Sequence, residues 1–193
     1  ALSGLNHRTG NYPGVTVESK KGEALFGGIR FTLIDLPGTY SLAPRSPDEM
    51  VAVDVLLGRQ AGEERPRVLI CIVDASNLER NLYLTTQAME LGLPVVIALN
   101  MIDVAAGHGL VIDTAALSAR LGVPVVPIQA NQRKGLEELR RAVEAAVTDP
   151  APSEHPRLPE AFEAETAALG AVLGSGVAPY IVRRLLLDGG GQG

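Results

Sequence analysis

Residues 94–103 read PVVIALNMID, an unbroken apolar run that ends in a polar loop. An earlier run, VLICIV over residues 68–73, has the same character, and both are typical of strands that are buried on both faces. Residues 124–128 predict a third, shorter strand. Helical patterns separate these strands, so the chain alternates strand and helix. That order predicts an α/β fold with a mostly parallel sheet.

Helix start signals lie in the intervals between the strands. Ser46 and Glu49 have the spacing of a capping box, and the proline between them suits the first position of a helix. Ser76 and Glu79 repeat that spacing before a helix that we expect to run to about residue 91, and residues 113–121 predict another helix capped by its aspartate. The apolar positions at helical spacing are Met50, Val53 and Leu57 in the first helix and Leu136, Leu139, Val143 and Val147 in the last.

The two ends of the chain differ from this alternating middle. Residues 15–25 and 29–34 predict an antiparallel pair of strands joined by a Gly-Gly turn, while residues 1–5 resemble the tail of a helix. A proline-rich linker begins at residue 149 and precedes two further helical patterns. We therefore predict one domain over residues 1–149, followed by a linker and the start of a helical domain over residues 150–193.

Composition excludes several classes of protein. The net charge is 17 − 22 = −5 over 193 residues, which argues against a broad nucleic-acid-binding surface. Hydrophobic residues make up 46%, so disorder along the whole chain is not expected. No apolar stretch approaches the roughly 20 residues that a membrane span needs. The single cysteine, Cys71, lies within an apolar strand and is expected to be a small buried hydrophobe, not a reactive thiol.

Two polar motifs follow predicted strands, at the edge where α/β sheets bind ligands. Asp35 ends one strand and can hold Mg²⁺, usually through water, and Gly38 allows backbone N–H groups to approach a terminal phosphate. Asp103 can accept two parallel hydrogen bonds, which guanine offers from N1–H and its 2-amino group and adenine does not. Asn100 can tie neighbouring loops together. Each motif alone also fits an ordinary polar loop that caps a strand end.

Two weaker signals complete the set. Residues 129–131, Gln129-Ala130-Asn131, follow the third strand, and a backbone N–H there can reach the guanine carbonyl oxygen. Thr16 follows a loop rich in glycine and proline and can ligate Mg²⁺, although an outward β-branched residue on an edge strand explains it equally well. The order of these four signals along the chain is that of a Ras-like GTPase.

Longer motifs carry a closer resemblance. The segments GNYPGVTVE (10–18), DLPGTYSL (35–42), VDASNLERNL (73–82) and LNMID (99–103) resemble the ferrous iron transport protein B family, FeoB, closely over residues 1–150 and loosely over 151–188. The family implies a Ras-like GTPase fold with helices on both faces of the sheet, followed by a partial helical domain. It also implies a GTP-hydrolysing switch that couples GTP state to Fe²⁺ uptake at the cytoplasmic face of the bacterial inner membrane, this piece itself being soluble.

The resemblance assigns roles residue by residue. It implies Thr16 and Asp35 at Mg²⁺, Gly38 at the γ-phosphate, and moving switches over residues 8–18 and 38–48, with K⁺ as a further candidate ion. Thr39 stands where many Ras-like proteins carry a water-orienting glutamine, so the family must position water otherwise. The residues implied at guanine are Asn100, Met101, Asp103, Gln129, Ala130 and Asn131. Met101 replaces the usual lysine of this motif, which predicts modest nucleotide affinity.

One expected motif is not in the sequence. A GTPase needs a loop ending Gly-Lys-Ser/Thr, and none occurs in these 193 residues. The family places that loop and the first strand upstream of Ala1, so we expect the chain alone to bind GTP poorly and to be inactive. The resulting gap invites strand exchange or a homo-oligomer, while the family partner is the protein's own membrane domain. The alternative is a truncated, non-catalytic interaction module that binds no nucleotide; a dinucleotide-binding domain lacks its Gly-x-Gly-x-x-Gly signature here.

Overall fold

The computed structural model describes residues 7–13, 15–39, 42, 46–150, 159–174, 177 and 179–189, which belong to two compact units, Ala1–Glu154 and His155–Gly193. The strands are β1 His7–Asn11, β2 Glu18–Phe26, β3 Ile29–Asp35, β4 Leu69–Asp74, β5 Val95–Asn100 and β6 Val125–Pro127. The helices are α1 Pro47–Leu56, α2 Leu78–Met89, α3 Ile102–Gly107, α4 Thr114–Leu121, α5 Leu136–Thr148, α6 Glu160–Leu173 and α7 Pro179–Gly189. The predicted α/β fold is confirmed. The expected helix tail at residues 1–5 lies outside the described residues.

The first three strands form an antiparallel sheet in the order β1-β2-β3. Gly27 and Gly28 make the predicted turn with φ angles of +52° and +84°, which glycine adopts without strain. The predicted pair has a third member, because β1 runs through Asn11, a part of the chain that we expected to be loop. Asn11 pairs with Glu18, where β2 begins, three residues later than predicted. Its polar sequence gives β1 no strand signal; pairing with β2 supplies its backbone hydrogen bonds.

The other three strands form a parallel sheet in the order β4-β5-β6. Residues Val95 to Leu99 of β5 are all buried, as predicted. The expectation that the preceding strand is buried on both faces is wrong at Ile72, whose side chain is 71% exposed. Among the described residues β4 pairs only with β5, and no described side chain covers Ile72, although Ile70 on the same face packs against the core.

The start of α1 is as predicted, but its buried face is so only in part. The Ser46 hydroxyl accepts a hydrogen bond from the Glu49 backbone N–H at 3.2 Å. Of the three apolar positions predicted there, Val53 is buried and Leu57 half-buried, but Met50 is 54% exposed, so the prediction is wrong at Met50. The core side of α1 consists of Val51, Ala52, Val53, Val55 and Leu56.

The capping box predicted at Ser76 does not form. Asp74, at the end of β4, accepts hydrogen bonds from the Ser76 backbone N–H at 2.8 Å and from the Ser76 hydroxyl at 2.7 Å. A short 3₁₀ turn, Ala75–Asn77, therefore precedes α2. A charged carboxylate is a stronger acceptor than a serine hydroxyl, which explains why Asp74 provides the cap.

The connection between β5 and β6 contains one helix more than predicted. Asp113 caps α4 as predicted, by accepting from the Ala116 backbone N–H at 2.9 Å, and Gly122 ends that helix in the left-handed conformation. The six-residue helix α3 was not predicted, since it is short and carries little apolar periodicity. On α5, Leu136, Leu139 and Val143 form the predicted buried face.

Two clusters of buried residues pack within the described part of the first unit. The larger cluster joins β2, β5, β6 and α5, because Phe26 packs against the strands and against Leu139 and Val143. The smaller cluster consists of Tyr12, Val17, Val51 and Val55, with Leu36 packed against it. The smaller cluster thus joins the loop after β1 to α1.

The second unit contains α6 and α7. Arg183 is buried and forms an ion pair with Glu163 at 3.1 Å across the two helices. Thr166 is also buried, with its hydroxyl donating to the Phe162 carbonyl at 2.9 Å. Among the helices that the structure describes, none combines the length and the apolar character that a membrane crossing requires.

The environment of Cys71 makes its thiol unreactive. The residue is half-buried in β4, and burial raises the pKa of the thiol to about 11, against a smaller lowering effect of a hydrogen bond with Thr85. At pH 8 the thiolate fraction falls about 100-fold below that of an unperturbed thiol. We expect alkylation by iodoacetamide at pH 8 to be slower by that factor in the folded chain than in urea. Equal rates in the two conditions would contradict the buried environment.

Candidate functional site

A hydrogen bond joins the two loops that follow β5 and β6. The Asn100 side-chain oxygen accepts from the Ala130 backbone N–H at 3.2 Å, across 30 positions of sequence. The Ile128 N–H donates to the Leu99 carbonyl at 2.8 Å just before it. Asn100 therefore ties neighbouring loops together as the sequence predicted, since parallel strands bring their carboxyl ends to one edge.

The residues after Asn100 turn away from the strand sharply. Met101 has a φ of +61°, a left-handed conformation that is uncommon for residues other than glycine, and 40% of it is exposed. This turn lets α3 begin at Ile102, which places Asp103 in the first turn of that helix. Asp103 is exposed, and no hydrogen bond or ion pair joins its carboxylate to another described residue. Its carboxylate is therefore open to a ligand beside the Asn100 bond.

The loop after β6 is closed by its own backbone. Gln129 and Lys134 exchange two hydrogen bonds, at 3.1 Å and 3.2 Å, around the short turn Ala130–Gln132. Gln129 and Ala130 are half-buried, whereas Asn131 is exposed at the tip. Gly135 ends the loop with a φ of +75° directly against the Pro127 carbonyl. The backbone N–H of Ala130 is thus held by a compact frame.

The residues expected at phosphate and magnesium lie at the other sheet. Asp35 is the last residue of β3 and is exposed; Gly38 follows it with open space where a side chain would project. Thr39 is half-buried, and Thr16 is exposed in the loop between β1 and β2. A hydroxyl and a carboxylate are the hard oxygen donors that Mg²⁺ accepts. No cluster of three His, Cys, Asp or Glu side chains suited to a metal occurs among the described residues.

The structure brings some of these residues together and leaves others separate. Asn100 contacts Ala130 directly; Met101 and Asp103 follow Asn100 in the chain, and Gln129 and Asn131 flank Ala130. No hydrogen bond between described residues joins Thr16 to Asp35. Within the expected switches, residues 14, 40, 41 and 43–45 lie outside the described part of the chain.

Two residues near the switches were not found from the sequence. Gln87 of α2 is 2% exposed, and its side-chain oxygen accepts from the Leu42 backbone N–H at 2.7 Å, which fastens Leu42, a residue of the second expected switch, to α2. Tyr12 is 1% exposed and belongs to the small cluster against α1. Both contacts join residues more than 30 positions apart. The sequence therefore showed only a polar residue on a helix and an aromatic residue in a glycine-rich loop, and it gave no indication of their partners.

The sequence of this chain is similar to known proteins of one family. The model of the family described as ferrous iron transport protein B matches residues 1–143. The Fe(2+) transporter FeoB of Salmonella typhimurium is 48% identical over 147 residues, which is 74% of this chain and 18% of the transporter. The chain therefore spans about a fifth of the length of that curated relative.

Solved structures agree along nearly the whole chain. The cytosolic domain of L. pneumophila FeoB superposes with a TM-score of 0.82 at 40% identity, covering 95% of this chain and 79% of that one. A mutant of S. thermophilus NFeoB bound to GDP superposes with a TM-score of 0.85 at 41% identity, covering 97% and 72%. The family model covers well over half of the residues, and the fold agrees with those of the solved structures. The chain belongs to the ferrous iron transport protein B family, as its Ras-like G domain.

Proposed function

We propose that this chain supplies the guanine-nucleotide switch of a ferrous iron transporter, and that its nucleotide state controls Fe²⁺ uptake at the cytoplasmic face of the inner membrane. The observation that carries the proposal is the Asn100–Ala130 hydrogen bond, which fixes the two strand-end loops and leaves the Asp103 carboxylate open beside them. In this reading the G domain covers residues 1–149, and a helical domain begins within residues 150–193.

The base would be selected by donor and acceptor complementarity. Asp103 offers two acceptor oxygens to the guanine N1–H and 2-amino groups, while Ala130, Asn131 and Gln129 line the opposite edge of the base and Met101 lies over it. Adenine has no donor at N1, so its binding would leave the two Asp103 acceptor oxygens without their partners on the base, a mismatch that discriminates against adenine. The GDP bound to the S. thermophilus relative supports this assignment.

At the phosphate side, Thr16 and Asp35 would hold Mg²⁺, Asp35 through water, and the metal would neutralise charge on the phosphates. Gly38 has room for its backbone N–H to meet a γ-phosphate. Thr39 has a short side chain that cannot reach as far as a glutamine, so we assign the orientation of the attacking water to switch backbone groups. A monovalent ion such as K⁺ is a further candidate at the phosphates.

A second candidate function is a non-catalytic interaction module. It is favoured by the absence of a Gly-x-x-x-x-Gly-Lys-Ser/Thr sequence from these 193 residues, since that loop provides most of the grip on phosphates. Among the described residues, β3 and β4 also each pair on one side only, which suits strand exchange or a homo-oligomer. This candidate predicts association without nucleotide.

Titration with fluorescent GDP separates the two candidates. We expect saturable binding by a longer polypeptide that includes the gene's upstream residues, with displacement by GTP and not by ATP. The 193-residue chain should show no saturation at micromolar concentrations, with light scattering as a check on its association state. Failure of the longer polypeptide to bind would overturn the switch proposal, and tight binding by the shorter one would overturn the role given to the phosphate loop.

A further inference from the structure

The loop that carries Thr16 is closed on itself. The Tyr12 backbone N–H donates to the Val17 carbonyl at 3.0 Å, and the Val15 N–H donates to the Tyr12 carbonyl at 3.2 Å. Tyr12 and Val17 are 1% and 7% exposed, whereas Thr16 between them is exposed. The position of Thr16 therefore depends on the two buried side chains on either side of it.

Those two side chains are buried against α1. Tyr12 and Val17 form one cluster with Val51 and Val55, and Leu36 packs against it from the segment after β3. Helix α1 begins at Pro47, so its first two residues are also the last two of the second expected switch, residues 38–48. One cluster thus contacts the first switch loop, the segment just before the second expected switch, and helix α1.

The next residue of the loop is held by the segment after α1. The Gln60 side-chain amide donates to the Pro13 carbonyl at 3.4 Å. A Cβ atom on Gly62 would lie 3.6 Å from the Pro13 ring, so this segment approaches the loop closely. Residues 12 and 13 are therefore both fastened to α1 or to the segment that leaves it.

The ring of Tyr12, not its hydroxyl, supplies this attachment. The hydroxyl is buried and has no well-formed hydrogen bond to a described residue. Burial raises the pKa of the Tyr12 phenol; the neighbouring Ser19 lowers it, and the carboxylates of Glu63 and Asp35 raise it more weakly. Glu63 itself is engaged by Lys21 at 2.7 Å. The phenol stays neutral, so loss of the hydroxyl alone should change little.

We propose that Tyr12 is a positioning residue for Thr16, and that its ring, packed on Val51 and Val55, couples the first switch loop to α1. A displacement of Thr16 then requires Tyr12 to leave the cluster or α1 to follow. The packing of Tyr12 is independent of that function, whereas the role of Thr16 as a ligand of Mg²⁺ beside the nucleotide rests on the function proposed above.

Hydrogen exchange in the 193-residue chain tests the coupling without nucleotide. Tyr12→Ala should speed exchange of the Val15 amide at least about tenfold, because the loop loses its anchor. Val55→Ala should have the same effect from the far side of the cluster. Tyr12→Phe should restore the slow exchange of the parent chain. The matched control is Val143→Ala, which removes a buried side chain from the other cluster and should leave Val15 unchanged at a comparable loss of melting temperature.

Equal Val15 exchange in Tyr12→Ala and Val143→Ala would overturn the proposal, as would an unchanged rate in Val55→Ala. If Tyr12→Ala fails to fold, Tyr12→Leu and Val55→Ala carry the same comparison. In the longer polypeptide, Tyr12→Ala should lower the preference for GTP over GDP about tenfold. In a Thr16→Ala background, Tyr12→Ala should cause no further loss of that preference. Additive losses would show that Tyr12 does not act through Thr16. If Thr16→Ala alone leaves the preference for GTP over GDP unaltered, the proposed role of Thr16 at the nucleotide is wrong. The hydrogen-exchange result still decides whether Tyr12 couples the first switch loop to α1.

Discussion

Replacement of Asp103 by Asn in the longer, nucleotide-binding polypeptide should weaken GDP binding at least about 100-fold, since two hydrogen bonds to a charged carboxylate, each contributing about 1.5–3 kcal/mol, are altered. The carboxylate accepts from both N1–H and the 2-amino group of guanine. Asparagine keeps one acceptor and turns its NH₂ group toward a donor on the base. The loss therefore includes a donor–donor repulsion as well as a missing bond.

The same chemistry predicts a change of specificity. Xanthine carries a carbonyl oxygen where guanine carries the 2-amino group, and it keeps the N1–H donor. The asparagine amide can donate to that oxygen while its own oxygen accepts from N1–H. Xanthosine diphosphate should therefore bind Asp103→Asn more tightly than GDP does, in reversal of the parent's order.

Asp113→Asn is the matched control. Asp113 undergoes the same chemical change ten residues away, where it caps α4, and asparagine caps a helix about as well as aspartate. Its GDP affinity should equal that of the parent in the fluorescent titration. Unchanged GDP affinity in Asp103→Asn, or an equal loss in Asp113→Asn, would refute the assignment of Asp103 to guanine.

The hydrogen bond between Asn100 and the loop after β6 was predictable because its rules are local. An apolar run fixes the end of β5, and an amide directly after it faces the loop of the neighbouring parallel strand, as the Asn100–Ala130 bond shows. The left-handed turn at Met101 was not predictable, because methionine carries no signal for positive φ. It follows from the need to start α3 immediately after β5.

The other differences between sequence and structure come from tertiary pairing. Nothing within β1 marks it as a strand; its partner β2 provides the hydrogen bonds. The apolar run of β4 predicts burial on both faces, yet Ile72 is exposed. Burial of a strand side chain depends on what packs over that face of the sheet, which the run itself does not specify. Likewise, the hydrogen bond from Leu42 to Gln87 joins residues 45 positions apart. Local patterns identify elements well and their neighbours poorly.

Gly135→Ala should lower the free energy of unfolding of the first unit by about 3 kcal/mol, from a left-handed backbone penalty of about 1–2 kcal/mol and a steric clash. Gly135 has a φ of +75°, and a Cβ atom there would lie 2.2 Å from the Pro127 carbonyl oxygen and 3.1 Å from the Ile128 Cα. Both contacts are backbone, so relief requires the loop itself to move. That movement would also displace the Ala130 N–H from Asn100, and guanine affinity should fall together with stability.

Gly122→Ala separates the two contributions in urea denaturation followed by circular dichroism. Gly122 has a similar φ of +68°, but nothing lies within 4 Å of the position where its Cβ would be. It should therefore show only the backbone penalty of about 1–2 kcal/mol and leave guanine affinity in the longer polypeptide unchanged. The excess loss in Gly135→Ala then measures the close approach of residues 127 and 135. If the two variants unfold at the same urea concentration, the loop is not held against Pro127, and the frame assigned to the Ala130 N–H is wrong.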